Sequence, residues 1–124
     1  MKDTKTSDLK ELIADPNLDI LYKSLASSVS YVQDDQAIEK ITEAYLFSKD
    51  KHKSQCRKSG EAYISHPVSV AMIVAEFKVD PDTIISALLH DVVEDTDTEL
   101  FEIENKFGKK VSELVDGLTK ISRI

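Results

Sequence analysis

The stretch Asp80-Pro81-Asp82-Thr83-Ile84-Ile85-Ser86-Ala87-Leu88-Leu89-His90-Asp91-Val92-Val93-Glu94-Asp95 reads as a helix with a sharp start and a charged end. Proline at the first helical position gives up no N–H that the helix needs, and an aspartate on either side suits the positive helix end. Ile84, Ile85, Leu88 and Leu89 recur at the helical period. The same period runs through the rest of the chain. Leu9, Leu12 and Ile13 form one run and Leu18, Leu21, Leu25 and Val29 the next, with Asp15-Pro16 between them because proline disfavours a helical residue before it. A further helix is predicted from Asp35 to Ser48, burying Ile38, Ile41, Ala44, Tyr45 and Leu46. Another opens at Pro67 and carries Val68, Val70, Ala71, Val74, Ala75 and Phe77. Thr98 to Phe107 forms the next, stopped by a left-handed cap at Gly108, and Lys109 to Ile121 the last, on Val111, Leu114, Val115 and Leu118. Period-two alternation occupies no long stretch, so the fold class predicted is all-α, a multi-helix bundle. The polar segment Lys49 to Ser65 is the long irregular connection, and loops of that length in compact domains are often functional.

Composition narrows the function. The chain has 124 residues, 41% apolar and 31% charged, an ordinary globular balance. No apolar run approaches the ~20 residues that span a bilayer, and Met1 to Lys10 lacks the apolar stretch of a signal peptide. The single cysteine, Cys56, cannot form an intrachain disulfide, which points to a reducing cytoplasm. A net charge of −7 disfavours nucleic acid, whose phosphates need clustered Lys and Arg. Small molecules, metals and protein partners remain.

The charge is uneven. Lys49, Lys51, Lys53, Arg57 and Lys58 stand against Asp50 alone, whereas nine acids and no Lys or Arg lie between Asp80 and Asn105. A solvated helix face usually alternates signs, so an unbalanced acidic block points either to an acidic surface or to a cation site. On a continuous helix His90, Asp91, Glu94 and Asp95 fall at about 0°, 100°, 40° and 140°, one arc at the negative helix end. Their mutual repulsion would be relieved by a divalent cation. Imidazole with carboxylate suits Mn²⁺, Fe²⁺ or Zn²⁺ better than Ca²⁺ or Mg²⁺. A second histidine must come from elsewhere: His66, fixed by its helix start, is preferred to His52, which lies among lysines. Taken singly, each residue also has a plainer reading. His66 fits a helix cap; Glu94, Asp95 and Asp97 fit a solvated turn with Asp97 or Thr98 capping the next helix; Cys56 fits an incidental thiol, and Arg57 with Lys58 a solvated basic loop.

Three segments in order are more specific than any one alone. His52-Lys53-Ser54-Gln55-Cys56-Arg57-Lys58-Ser59-Gly60-Glu61-Ala62-Tyr63-Ile64-Ser65-His66-Pro67, then Ala87-Leu88-Leu89-His90-Asp91-Val92-Val93-Glu94-Asp95-Thr96, then Leu114-Val115-Asp116-Gly117-Leu118-Thr119-Lys120 resemble the hydrolase domain of the RelA/SpoT family, a branch of the HD superfamily. Those enzymes degrade the bacterial alarmone (p)ppGpp in the stringent response. The resemblance covers about Ile38 to Lys120 and implies an HD-type bundle that binds ppGpp or pppGpp. His66, His90 and Asp91 would hold the family's metal, usually Mn²⁺; Glu94 and Asp95 would activate and orient the water that attacks the 3′-pyrophosphate; Arg57 and Lys58 would meet the guanine end of the nucleotide. Ala62 stands where the family commonly has proline. Arginine suits stacking on a base or forking to phosphate better than lysine.

The family completes its metal shell with an aspartate from a later helix, beyond the Lys120 motif. Asp116 belongs to the Val-Asp-Gly motif and does not supply it. Residues 1–124 are therefore expected to form the N-terminal part of an HD-type (p)ppGpp hydrolase domain, without synthetase or regulatory domains. Two other readings stand beside this one. The first is a nucleotide-binding or interaction module, catalytically incomplete, forming an oligomer through an exposed C-terminal helix (Val111, Leu114, Val115, Leu118). The second is an HD phosphohydrolase for other nucleotides, disfavoured by Arg57-Lys58-Ser59-Gly60.

Overall fold

The computed structural model describes residues 19–53, 55 and 63–122. Among them every regular element is a helix: α1 (Ile20–Ser28), α2 (Asp35–Lys51), α3 (Ser65–Ala75), α4 (Pro81–Leu89), α5 (Val92–Asp95), α6 (Leu100–Phe107) and α7 (Lys109–Ser122). The run Leu9, Leu12 and Ile13, the separating Asp15-Pro16 and Leu18 of the next run lie outside the described residues.

The centre of the bundle is α4, against which α2, α3 and α7 all pack, while α1 packs on α3 and α6 on α7. Its residues Ile84, Ile85, Ser86, Ala87, Leu88 and Leu89 are all buried. A helix with no polar side must be surrounded, and each large side chain so enclosed contributes roughly 1.5–3 kcal/mol. The one hydroxyl in this run is satisfied locally, Ser86 Oγ donating to the Asp82 carbonyl at 2.7 Å. Pro81 occupies the first turn as expected, and the Asp80 carboxylate accepts from the Thr83 hydroxyl and from Lys110 at 3.3 Å, which ties the start of α4 to α7.

Capping aspartates place the outer helices. Asp19 accepts from the Leu21 amide at 3.0 Å and from Lys49 at 2.8 Å, and also from the Tyr45 hydroxyl, so a single carboxylate both caps α1 and fastens it to α2. Burial opposes ionisation of Asp19, but the donors Lys49, Tyr45 and Leu21 outweigh it and hold the carboxyl below its ordinary range. Asp34 caps α2 through the Gln36 amide at 2.9 Å. Gly108, between α6 and α7, has φ +101°, which only glycine adopts freely.

Several boundaries differ from the sequence reading. Helix α2 runs on to Lys51 because Ser48 and His52, polar by type, continue its buried face, while Lys49 and Lys51 suit the negative helix end. Helix α3 starts at Ser65, so Pro67 is its third residue; first-turn N–H groups have no helical acceptor, and the proline costs nothing there. Helix α6 is capped by Glu99, which forms a reciprocal capping box with Glu102, rather than by Asp97 or Thr98. Leu46 and Phe77, expected in the core, are 56% and 77% exposed. The C-terminal stripe is corrected too: Val111 and Val115 are fully buried within their own chain, and the apolar side chains left open are Leu118 and Ile121.

Candidate metal centre

Helix α4 ends at Leu89. His90 (φ −61°, ψ −30°) and Asp91 (φ −91°, ψ −10°) form a turn, and the four-residue α5 follows. The continuous arc expected from His90 to Asp95 is thus broken. Glu94 and Asp95 lie on α5 and are exposed. Adjacent side chains on an unbroken helix diverge by ~100°, yet here the Asp91 Oδ1 atom lies 3.2 Å from His90 Nε2. From the first turn of α3, His66 Nε2 approaches Asp91 Oδ2 at 3.3 Å. Ligand atoms of His66, His90 and Asp91 all lie within 4.8 Å of one another.

The donor set fits a divalent cation. His90 Nδ1 lies 2.6 Å from the Ala87 carbonyl, which can only accept, so Nδ1 carries a proton and, in the neutral ring that a metal requires, Nε2 presents a lone pair. That lone pair faces carboxylate oxygen, an unfavourable arrangement unless positive charge lies between them. Two imidazole nitrogens and a carboxylate suit first-row divalent metals, and a backbone carbonyl on the far ring nitrogen is the usual support for such a ligand.

Behind this trio stands a second layer. Tyr63 donates to Asp95 Oδ2 at 2.7 Å and approaches Asp91 Oδ2 at 3.4 Å. Burial, with the two carboxylates beside it, raises the phenol above its ordinary value, so the hydroxyl keeps its proton as a donor. The His52 ring stacks on Tyr63 with centroids 4.6 Å apart. Gln55 donates through Nε2 to the Asp95 carbonyl at 2.7 Å, which leaves Oε1 to accept from His52 Nδ1 at 3.0 Å. His52 is 2% exposed, and its Nε2, like Ser48 Oγ, is buried without a partner, a cost of about 1–3 kcal/mol for each group. His52 is therefore no member of the ligand trio; it is packing behind Tyr63.

A family model described as the HD domain matches residues 44–124. The chain belongs to the HD-domain family. Over 105 residues this HD domain is 47% identical to the bifunctional (p)ppGpp synthase/hydrolase SpoT of Escherichia coli (strain K12), covering 84% of the chain and 15% of that protein. It is 54% identical over 89 residues to the guanosine-3′,5′-bis(diphosphate) 3′-pyrophosphohydrolase of Aquifex aeolicus, covering 72% and 13%. Among solved structures, one described as a metazoan ortholog of SpoT that hydrolyzes ppGpp superposes with a TM-score of 0.61 at 34% identity, covering 64% of this chain and 47% of that one. The RelA/SpoT resemblance read from the three motifs is borne out, as is the all-α HD bundle. The HD domain spans only about 15% of the length of its E. coli relative.

Of the residues singled out from sequence, the HD fold brings His66, His90 and Asp91 together, with Asp95 linked to them through Tyr63. Arg57, Lys58, Cys56 and Ala62 lie outside the described residues. The described residues Gln55 and Tyr63 are joined, the Tyr63 amide donating to the Gln55 carbonyl at 3.3 Å, and each also bonds Asp95. The charged blocks divide. Lys49 pairs with Asp19 at 2.8 Å and Lys53 with Asp50 at 3.5 Å, while Asp80 and Asp82 meet Lys110 at 3.3 and 3.9 Å. Only part of the acidic block serves the candidate centre. Asp116 pairs with Lys120 at 3.0 Å, in keeping with its place in the Val-Asp-Gly motif. Sequence reasoning quoted Tyr63 but gave it no role; its one signal is its position three residues before His66.

Proposed function

We propose that the protein to which this HD domain belongs hydrolyses the 3′-pyrophosphate of guanosine tetra- or pentaphosphate, giving GDP or GTP and pyrophosphate, with His66, His90 and Asp91 of this chain holding a divalent cation, Mn²⁺ in our reading. The observation that carries the proposal is the convergence of His66 Nε2 and His90 Nε2 on one carboxylate, with His90 Nδ1 already committed to a backbone carbonyl. A divalent cation bound there supplies positive charge against the phosphoryl oxygens of a polyanion and makes water more acidic. The chain's own residues do the rest. Glu94, exposed on α5, accepts a proton from the attacking water. Asp95, fixed on one oxygen by Tyr63, orients that water with the other. The new bond joins the water oxygen to phosphorus, the 3′-O–P bond breaks, and the ribose 3′-oxygen leaves as a hydroxyl, taking up the equivalent of the proton that Glu94 accepted. Arg57 and Lys58 receive the guanine end, as the family resemblance implies.

The names of the relatives support the substrate class, and the net charge of −7 argues against nucleic acid as partner. No described helix is long and apolar enough to cross a membrane; a cytoplasmic setting is our reading of the single cysteine, Cys56. Pyrophosphate release from ppGpp should require Mn²⁺ and be lost in His90→Ala and Asp91→Ala. Unchanged turnover in either variant rejects the metal assignment, and Mn²⁺ binding without turnover in the unaltered protein would favour a nucleotide-binding module.

A further inference from the structure

We propose that Tyr63 is a positioning residue that sets the Asp95 carboxylate relative to Asp91, with the His52 ring as its backing. The proposal rests on the reading of Asp91 as a metal ligand and Asp95 as a catalytic carboxylate. Three observations converge on it. The Tyr63 hydroxyl stands between the two carboxylates, 2.7 Å from Asp95 Oδ2 and 3.4 Å from Asp91 Oδ2. It has one proton, and the shorter distance assigns that proton to Asp95. The phenol ring cannot retreat, because the buried His52 ring lies against its face at 4.6 Å with 25° between planes. The same His52 is tied through Gln55 to the main-chain carbonyl of Asp95, at 3.0 and 2.7 Å.

Asp95 is thus held twice, at its side chain by Tyr63 and at its backbone by Gln55, and both holds lead back to one imidazole. An exposed carboxylate on a four-residue helix otherwise has several rotamers. Holding one oxygen restricts where the other can stand. Tyr63 touches neither substrate nor metal in this scheme. It acts through Asp95.

The variant Tyr63→Phe removes the hydroxyl and keeps the stacked ring, so the fold is retained. We expect kcat for ppGpp hydrolysis to fall about tenfold with KM within about twofold, the scale seen when an outer partner of a metal site is removed. In an Asp95→Asn background the same change should produce no further loss, because the group Tyr63 acts on is already altered. Mn²⁺ affinity, read by calorimetry without substrate, should stay within about threefold of wild type, as the Asp91 contact is the longer one. Wild-type kcat in Tyr63→Phe, or losses that multiply in the double variant, would overturn the proposal, and so would a large loss of Mn²⁺ affinity, which would place Tyr63 in support of the metal. Full activity in Asp95→Asn alone would remove the catalytic reading of Asp95, and this inference with it.

Discussion

Replacing His90 by alanine should separate the metal's contribution to stability from that of the fold. Asp91 is gripped from both sides, by an imidazole on α3 and by one that follows α4, so a cation bound by the three joins two packed helices. A ligand that binds only the folded state at a hundred times its Kd stabilises by about 2.7 kcal/mol. Loss of one of three protein ligands should weaken binding at least as much as loss of an outer partner, about 100-fold. At the same Mn²⁺ concentration the variant then retains about 0.4 kcal/mol. For a domain of this size 1 kcal/mol moves Tm by roughly 4 °C, so the metal-induced rise should drop from about 10 °C to about 2 °C. The metal-free variant should itself melt a few degrees lower, having lost the bond to Ala87. Differential scanning fluorimetry in Mn²⁺ and in EDTA reads both quantities. A metal-induced rise equal to that of wild type would refute the assignment of His90, whatever the activity.

Leu88→Ala empties a fully buried position on α4 and should cost about 2–5 kcal/mol, read as a lower urea midpoint; a change under about 1 kcal/mol would contradict the central place given to α4. Acid should loosen the bundle in a defined way. Asp19 is held below its ordinary range as described, and Asp80 likewise, by the Thr83 hydroxyl first, against an opposing effect of burial, and then by Lys110. Carboxyls depressed in the folded state stabilise it above their unfolded value, near pH 3.9, and lose that contribution as pH falls through the lower folded value. Urea unfolding across that range should show the loss, and Asp19→Asn should flatten it; an unchanged slope in the variant would dismiss the α1–α2 fastening as its source.

Much of this was readable before any coordinates. Pro81 and the Ile84, Ile85, Leu88, Leu89 spacing mark α4 because a helix apolar on all sides over its last turns leaves no ambiguity about its surroundings. The end of α2 was not readable. Periodicity counts apolar residues, and the face that extends α2 is carried by Ser48 and His52. His66, His90 and Asp91 were legible from residue type and from resemblance, but the turn at His90 and Asp91 was not: both keep near-helical dihedrals, and no glycine or proline announces the break. Tyr63 was invisible as a positioning group because its partner Asp95 stands 32 residues away. Val111 and Val115 were misread as an open stripe because spacing reports a face, not what covers it.

The two histidines sit on very different ground. Between Ile84 and Leu89 no residue exceeds 5% exposure, so amide hydrogens there exchange with solvent only when the whole domain opens, and His90 follows directly on that run. His66 rides on the first turn of α3, held by Ile64 in the core and by its own amide donating to the Tyr63 carbonyl at 3.0 Å. Were that end turn to open, one of the proposed ligands would leave while the other two stayed in register. The off-rate of a bound cation is then set by one helix turn and its rebinding site by the core, so metal exchange can be fast in a domain that unfolds slowly.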